Sequence, residues 1–288
     1  MESAENALDS RRAVCYFASR RLRSMIEIKA LKKTDWKRFG AELQELESVA
    51  EYPYGSDFFK LNHGSDYFAF FERMGEPLFH VALAENRVVA CAAGILRTLK
   101  IENKAVRAWY LCDLKIHPEF RGRQITNKLF KKNLFSNYIK CPRGYAISMN
   151  PASGENRVVK LLKRLPKIPI GYAGQLNFYS FNQDEAASVQ KNLETELGKI
   201  SYLSLRGKKD LIMKSTDSPL PLFHIQHGAM AEYGIESPLE NGTYMICAFE
   251  NNSLDNMLKY RFPISATASI LAHRFKPKNW NFILTSDI

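Results

Sequence analysis

The stretch that most constrains the fold is a run of three strand-like segments separated by two tight turns. Leu78–Ala84, Val88–Lys100 and Val106–Ile116 are dense in branched, aromatic and small apolar residues. Between them lie Glu85-Asn86-Arg87 and Glu102-Asn103-Lys104, both short and polar. Strand-like runs joined by such turns form an antiparallel meander, because the turn leaves no room for a crossover. Pro118 closes the third run, since proline cannot donate to a ladder. Past Gly122, helical spacing sets in through about Asn137, with Ile125, Leu129, Phe130 and Leu134 on one face. A helical crossover to the next strand, Gly144–Met149, makes that strand parallel to the third meander strand. The expected class is therefore α/β with a mixed sheet.

Upstream, residues 1–24 read as a polar N-terminal extension. Ile26–Leu31 alternates as a short strand. A helix from Thr34 to about Val49 places Phe39, Leu43, Leu46 and Val49 on one face. Residues 51–57, with Pro53 and Gly55, read as a loop. Ser65-Asp66 is placed to cap a helix over Tyr67–Met74. Downstream, Ser153–Leu165 reads as a helix ended by Pro166 and Pro169. Beyond residue 180, strands are expected at 201–205, 211–214, 223–226, 243–249 and 280–284, with helices at 184–197, 254–260 and 265–274. The expected organisation is 1–24, 25–180 and a folded α/β part at 181–288.

At 288 residues, 45% of them hydrophobic, the chain can bury a large core and is not a disordered one. No apolar run reaches the length of a membrane span. The acidic, polar start lacks the apolar segment of a signal peptide. Five cysteines without CxxC spacing read as free thiols in a reducing compartment, so a cytoplasmic setting is expected. His224 and His227 have the spacing of a metal pair. On a strand, however, their rings face opposite sides, so no metal is expected. The net charge of +11 suits an anionic ligand and opposes a polycationic one. No zinc-finger, RNP-type or basic-region pattern points to nucleic acid.

The segment from Trp109 to Phe130 is a strand, a polar turn and a helix start. That arrangement aims free backbone N–H groups and the positive end of a helix dipole at a ligand. Its sequence Ile116-His117-Pro118-Glu119-Phe120-Arg121-Gly122-Arg123-Gln124-Ile125-Thr126 resembles the pyrophosphate loop of the GNAT N-acyltransferase superfamily. Ile116, Pro118 and Arg121 fit the pattern Val-x-Pro-x-x-(Arg/Gln)-x-x-Gly-x-(Gly/Ala), while Gln124 and Thr126 stand where the pattern has small residues. The order of elements over roughly 25–180 resembles the GNAT order as well. Residues 181–288 would then be a C-terminal extension or a diverged second GNAT-like half.

The resemblance implies acyl-CoA, in the form of acetyl-CoA, as co-substrate. Its pyrophosphate would rest on Arg121, Gly122, Arg123, Gln124, Ile125 and Thr126, and its pantetheine arm along Leu114 and Ile116. Asn156 matches the family's asparagine on the helix after the next strand, but the position seven on is Lys163, where the family has a tyrosine that often protonates the departing thiolate. The upstream base position falls at or near Tyr110. Asp113 is the strand's only carboxylate. Strict alternation sets Tyr110, Cys112, Leu114 and Ile116 on one face and Leu111, Asp113 and Lys115 on the other, unless a bulge turns Asp113 across. The loop residues Glu51, Tyr52 and Tyr54 would receive an amine-bearing small molecule or protein. Two readings stay open: an N-acyltransferase working by direct attack of a primary amine, and a catalytically degenerate module that binds acyl-CoA or a protein partner.

Overall fold

The computed structural model describes residues 25–54, 56–163, 170–237 and 241–288; the expected N-terminal extension and the helix-ending Pro166 and Pro169 lie outside them. The chain opens with β1 (Glu27–Ala30) and α1 (Lys33–Ser48), followed by the hairpin β2 (Tyr52–Tyr54) and β3 (Asp57–Asn62) and a single helical turn, α2 (Ala69–Glu72). The meander is β4 (Glu76–Ala84), β5 (Arg87–Ile101) and β6 (Lys104–Ile116). Its turns are the two-residue kind. Ala84 pairs Arg87 and Ile101 pairs Lys104, with Glu85, Asn86, Glu102 and Asn103 all at positive φ. Two left-handed residues in succession match the twist of the flanking strands, which is why a Glu-Asn pair at each turn closes a hairpin.

Helix α3 (Ile125–Lys140) crosses to β7 (Gly144–Met149), which runs parallel to β6 as expected. Then come α4 (Arg157–Lys163), β8 (Gly171–Phe181), α5 (Gln183–Leu197), β9 (Ile200–Ser204), β10 (Asp210–Met213), β11 (Ser218–Pro219), β12 (Leu222–His227), β13 (Thr243–Phe249), α6 (Ser253–Lys259) and β14 (Ala266–His273). One sheet of ten strands runs β1-β4-β5-β6-β7-β14-β8-β13-β12-β9. The strand latest in the chain, β14, thus lies between β7 and β8, antiparallel to both. The expected division after residue 180 falls inside β8, whose Phe181 pairs with Tyr244, and the sheet runs on across it. A second sheet, β11-β10-β3-β2, pairs Asp210–Met213 with Phe59–Asn62 and so ties the early hairpin to the later half of the chain.

Several expectations are corrected. Residues 265–274 are not a helix: Ala268, Ile270 and Leu271 are buried in the middle of the sheet, where ladder hydrogen bonds override the mild helical bias of an Ala-rich run. Residues 280–284 are not a strand: Trp280, Phe282, Ile283 and Leu284 are buried as an irregular segment with no ladder partner among the described residues, followed by a 3₁₀ turn over Thr285–Asp287. Residues 52–54 are a strand, not a loop, and the expected helix over 67–74 shrinks to α2. Its phenylalanines serve an aromatic core instead: Phe68 stacks on Trp36 at 4.3 Å, and Phe71 meets Phe79 edge-on at 5.1 Å. Complete burial of such side chains contributes about 1.5–3 kcal/mol each. Among the described residues no helix is long and apolar enough to cross a membrane.

Candidate functional site

Strands β6 and β7 pair only at Trp109–Gly144, Tyr110–Tyr145 and Leu111–Ala146. Beyond that point they diverge, and the edges of Cys112–Ile116 and Ile147–Met149 face a gap. At the mouth of the gap, β6 carries a bulge. Cys91 pairs Lys115 while Ala93 pairs Cys112, so Asp113 and Leu114 together oppose the single residue Ala92. Asp113 takes a left-handed φ of 57° to accommodate the extra residue. Its side chain is only 2% exposed, yet the residue is half-buried, so the exposed part is backbone.

The bulge also shifts the alternation of the strand. Asp113 and Lys115 join the side occupied by Tyr110 and Cys112, whereas Leu114 and Ile116 pack with Ile125 and Leu129 of α3. The strict alternation expected of β6 is corrected here, because one inserted residue moves every later side chain to the opposite face.

Asp113 lies in a buried polar cluster. Tyr67 Oη donates to Asp113 Oδ2 at 2.7 Å, and Lys115 Nζ donates to Asp113 and, at 3.3 Å, to Tyr67 Oη. Lys115 also pairs with Glu47, which is fully buried on α1. Tyr52 Oη donates to Glu47 Oε1 at 3.1 Å, and His63 Nε2 stands 3.6 Å from Glu47 Oε2. Burial alone would push the Glu47 carboxyl up. Lys115 and His63 outweigh it and hold the group down at about 2.

A cavity of about 300 Å³ extends from Leu129, Phe130 and Val158 through the gap to an inner chamber lined by Tyr54, His63, Phe70, Lys209 and His224. At the inner end Asp287 receives Arg97 Nη1 at 2.9 Å, and Arg97 also donates to Tyr145 Oη at 3.2 Å. His224 Nδ1 lies 3.0 Å from Thr285 Oγ1. Burial, then Lys209 and Arg73, hold its imidazole well below the ordinary histidine range.

At the outer end, a 3₁₀ turn (Pro118–Phe120) leads through Arg121, Gly122 and Arg123 to Gln124, and α3 starts at Ile125. Gly122 and Gln124 both have positive φ, at 79° and 56°. Gln124 thus holds a conformation that glycine adopts more readily. Arg123 lies over the Phe120 ring at 4.6 Å and donates to Glu119 O at 3.3 Å. Arg121 is exposed, Thr126 half-buried and Ile125 buried.

No protein-family model matches the sequence. An uncharacterized protein of Acanthamoeba polyphaga mimivirus, L340, is 25% identical over 235 residues, covering 78% of this chain and 68% of that one. Among solved structures, a tandem GNAT protein from the clavulanic acid biosynthesis pathway superposes with a TM-score of 0.50 at 10% identity, over 86% of this chain and 98% of that chain. The chain has a GNAT-like fold. A GCN5-related N-acetyltransferase from Kribbella flavida matches at 13% identity and a TM-score of 0.37; the match covers 67% of this chain and 59% of that protein.

Within this GNAT-like frame the residues singled out from sequence fall into distinct environments. Arg121–Thr126 form the turn before α3, next to the gap. Tyr110 lines the cavity but stacks on Tyr145 at 5.1 Å, and burial raises its phenol well above 10, so it stays protonated. Cys112 also lines the cavity, its thiol pushed up to about 12 by burial. Asn156 is 7% exposed and caps α4: its Oδ1 accepts from Val158 N at 2.9 Å, and its amide donates to Ser148 O and Met149 O at 3.0 Å. Tyr52 and Tyr54 line the cavity, with Tyr54 Oη donating to Ser180 Oγ at 2.8 Å. Glu51 stands apart and pairs with Lys214 at 2.9 Å.

Sequence reasoning missed Glu47, His63, Lys115 and Lys209. Glu47 left a signal: it continues the Phe39–Leu43 spacing of four along the apolar face of α1, where a carboxylate needs a buried partner. Lys115, between Leu114 and Ile116 on an apolar strand, left the complementary one. Lys209 sits in the polar run Gly207-Lys208-Lys209-Asp210, which reads as an ordinary surface turn. His227 is buried away from His224, and among the described residues no group of three or more His, Cys, Asp or Glu is placed to hold a metal ion.

Proposed function

We propose that the chain is an acyl-CoA-dependent N-acyltransferase that moves an acetyl group from acetyl-CoA to a primary amine by direct attack. The observation that carries this reading is the cavity running through the β6–β7 gap past the left-handed bulge at Asp113. The unpaired edge of Cys112–Ile116 offers backbone groups to the amides of a pantetheine arm, in the place β7 vacates. The exposed backbone at the bulge suits a thioester oxygen, where an N–H donor would stabilise the charge that develops on attack. Arg121–Thr126 and the first N–H groups of α3 suit the pyrophosphate.

In the reaction the amine nitrogen bonds to the thioester carbon, the C–S bond breaks, the nitrogen gives up a proton and the thiolate gains one. The carboxylates beside the chamber are engaged, Glu47 and Asp113 with Lys115 and Asp287 with Arg97. On this reading the amine therefore enters neutral and passes its proton to water. Burial holds the phenols of Tyr110 and Tyr67 protonated, so neither serves as the base, and the thiolate takes its proton from water. Residues 25–180 would supply the acyl-CoA groove, and 181–288 the far wall of the chamber.

The paired state of those carboxylates also favours a second reading, a module that binds acyl-CoA without turning it over. Calorimetry with acetyl-CoA, followed by thiol release over a panel of primary amines, tests both. Binding with turnover supports the enzyme. Binding without turnover for any amine leaves the module, and no binding at millimolar acetyl-CoA defeats both.

A further inference from the structure

We infer that the inner end of the cavity accepts an amine that carries a carboxylate, with Lys209 anchoring the carboxylate and His63 as a second donor. This rests on the acyl-transfer reading and names its substrate class.

Among the described residues four cations stand around the chamber, and three are accounted for. Lys115 lies between Asp113 and Glu47. Arg97 pairs with Asp287, and Arg73 pairs with Glu232 while donating to Ser286 O at 2.7 Å. Lys209 is different. It is 7% exposed and lines the cavity, and among the described residues its ammonium has neither a hydrogen bond nor an ion pair. Its contact is with the face of Phe70, 4.4 Å from the ring centroid. A buried cation held by a ring and by the field of a carboxylate already paired elsewhere, Glu47, keeps most of its desolvation cost, which a counter-ion delivered by a ligand would offset. The cost shows in its titration: burial, then Arg73, lower its pKa to about 7.

His63 makes the second observation independently. It is 1% exposed and lines the same cavity; Nε2 stands 3.6 Å from Glu47 Oε2, and Nδ1 has no hydrogen-bond partner among the described residues. Its ring leans on Phe70 at 5.6 Å, so His63 and Lys209 flank one aromatic side chain. Native proteins rarely leave a nitrogen of a buried imidazole unmet, and a ligand group would satisfy Nδ1. The two loops are also locked together. A Cβ on Gly64 would lie 2.0 Å from Gly207 O, so only glycine lets them approach this closely.

The donors decide the anion. One ammonium, with an imidazole against the same Phe70 ring and a lining otherwise mostly aromatic and aliphatic, suits a single carboxylate. A phosphate, with three strong acceptor oxygens, calls for a free guanidinium fork, and the guanidiniums beside the chamber, Arg97 and Arg73, are already paired with Asp287 and Glu232. The amine end of such an acceptor points toward the bulge, where Glu47 and Asp113 are already neutralised by Lys115.

The test is acetyl transfer measured over matched triplets: an α-amino acid, its amide and its decarboxylated amine, with acetyl-CoA binding followed in parallel by calorimetry. The acid should exceed both counterparts that lack the carboxylate in kcat/KM by at least about tenfold. Lys209→Met should erase that preference mainly through KM, and Lys209→Arg should keep most of it. Transfer without a preference for the acid, or a preference that survives Lys209→Met, overturns the inference and leaves acyl transfer standing. Acetyl-CoA binding with no transfer to any amino acid also overturns it. Failure of acetyl-CoA to bind removes the acyl-transfer reading itself, a result the calorimetry arm distinguishes from the others.

Discussion

Replacing Lys115 by methionine should destabilise the protein severely at neutral pH. Its ammonium is the shared counter-ion of two carboxylates, Asp113 and Glu47, whose side chains are 2% and 0% exposed. Methionine fills a similar volume, so the loss is electrostatic and not a cavity. Breaking a buried ion pair from one side costs about 3–5 kcal/mol. A second route gives the same scale: Glu47 is held at about 2 against 4.5, a shift worth about 3 kcal/mol. The sign follows from the direction of that shift. A depressed carboxyl pKa contributes stability that is full above 4.5 and fades as pH falls toward 2. By pH 3 the Glu47 part should have dropped to about 1 kcal/mol. Urea denaturation followed by the fluorescence of Trp36, Trp109 and Trp280 measures both conditions. A cost below about 1 kcal/mol at pH 7, or one that does not shrink at pH 3, would refute the reasoning. Removing the whole group, with Glu47→Leu and Asp113→Asn added to Lys115→Met, should recover most of the loss.

Gln124→Gly relieves a left-handed residue at φ 56° and should raise stability by up to about 1 kcal/mol in a thermal melt, after the entropy cost of glycine; a lowered Tm would contradict it. Asn156→Ala removes the cap of α4 and its links to Ser148 O and Met149 O. It should cost about 1–2 kcal/mol, with faster amide exchange in the first turn of α4. Cys112, its thiol held protonated near 12, should react with iodoacetamide far more slowly in the native protein than in urea when peptides are resolved by mass spectrometry. Equal rates would show that the thiol is not buried.

The legible parts of this fold were those in which pattern and environment agree. Gly144–Met149 and Thr243–Phe249 are strands at their expected bounds, because short, mostly apolar runs of six or seven residues suit strands inside a sheet. The meander was legible from its Glu-Asn turns. Residues 266–273 were not: alanine and serine dominate Ser265–Ser269, and nothing local says that this segment inserts between two distant strands. The apolar run 280–284 misled in the opposite direction, since burial without a ladder looks the same in sequence. At the site, the bulge at Asp113 was foreseeable as a possibility but not as a fact, because the register of β5 against β6 is a tertiary property. The pairing of Lys115 with Glu47 and the approach of Lys209 to Phe70 join residues 68 and 139 positions apart, contacts that only the assembled sheets create.

The central claim is that acyl-CoA occupies the gap between β6 and β7 with its thioester at the bulge. A crystal structure of the acetyl-CoA complex tests it most directly. The account predicts pantetheine amides hydrogen-bonded to the backbone of Cys112–Ile116 and the pyrophosphate on Arg121–Thr126. It also predicts the thioester oxygen about 3 Å from a backbone N–H of the Asp113–Leu114 bulge. Acetyl-CoA bound elsewhere, or bound in the gap with its thioester away from the bulge, would contradict it.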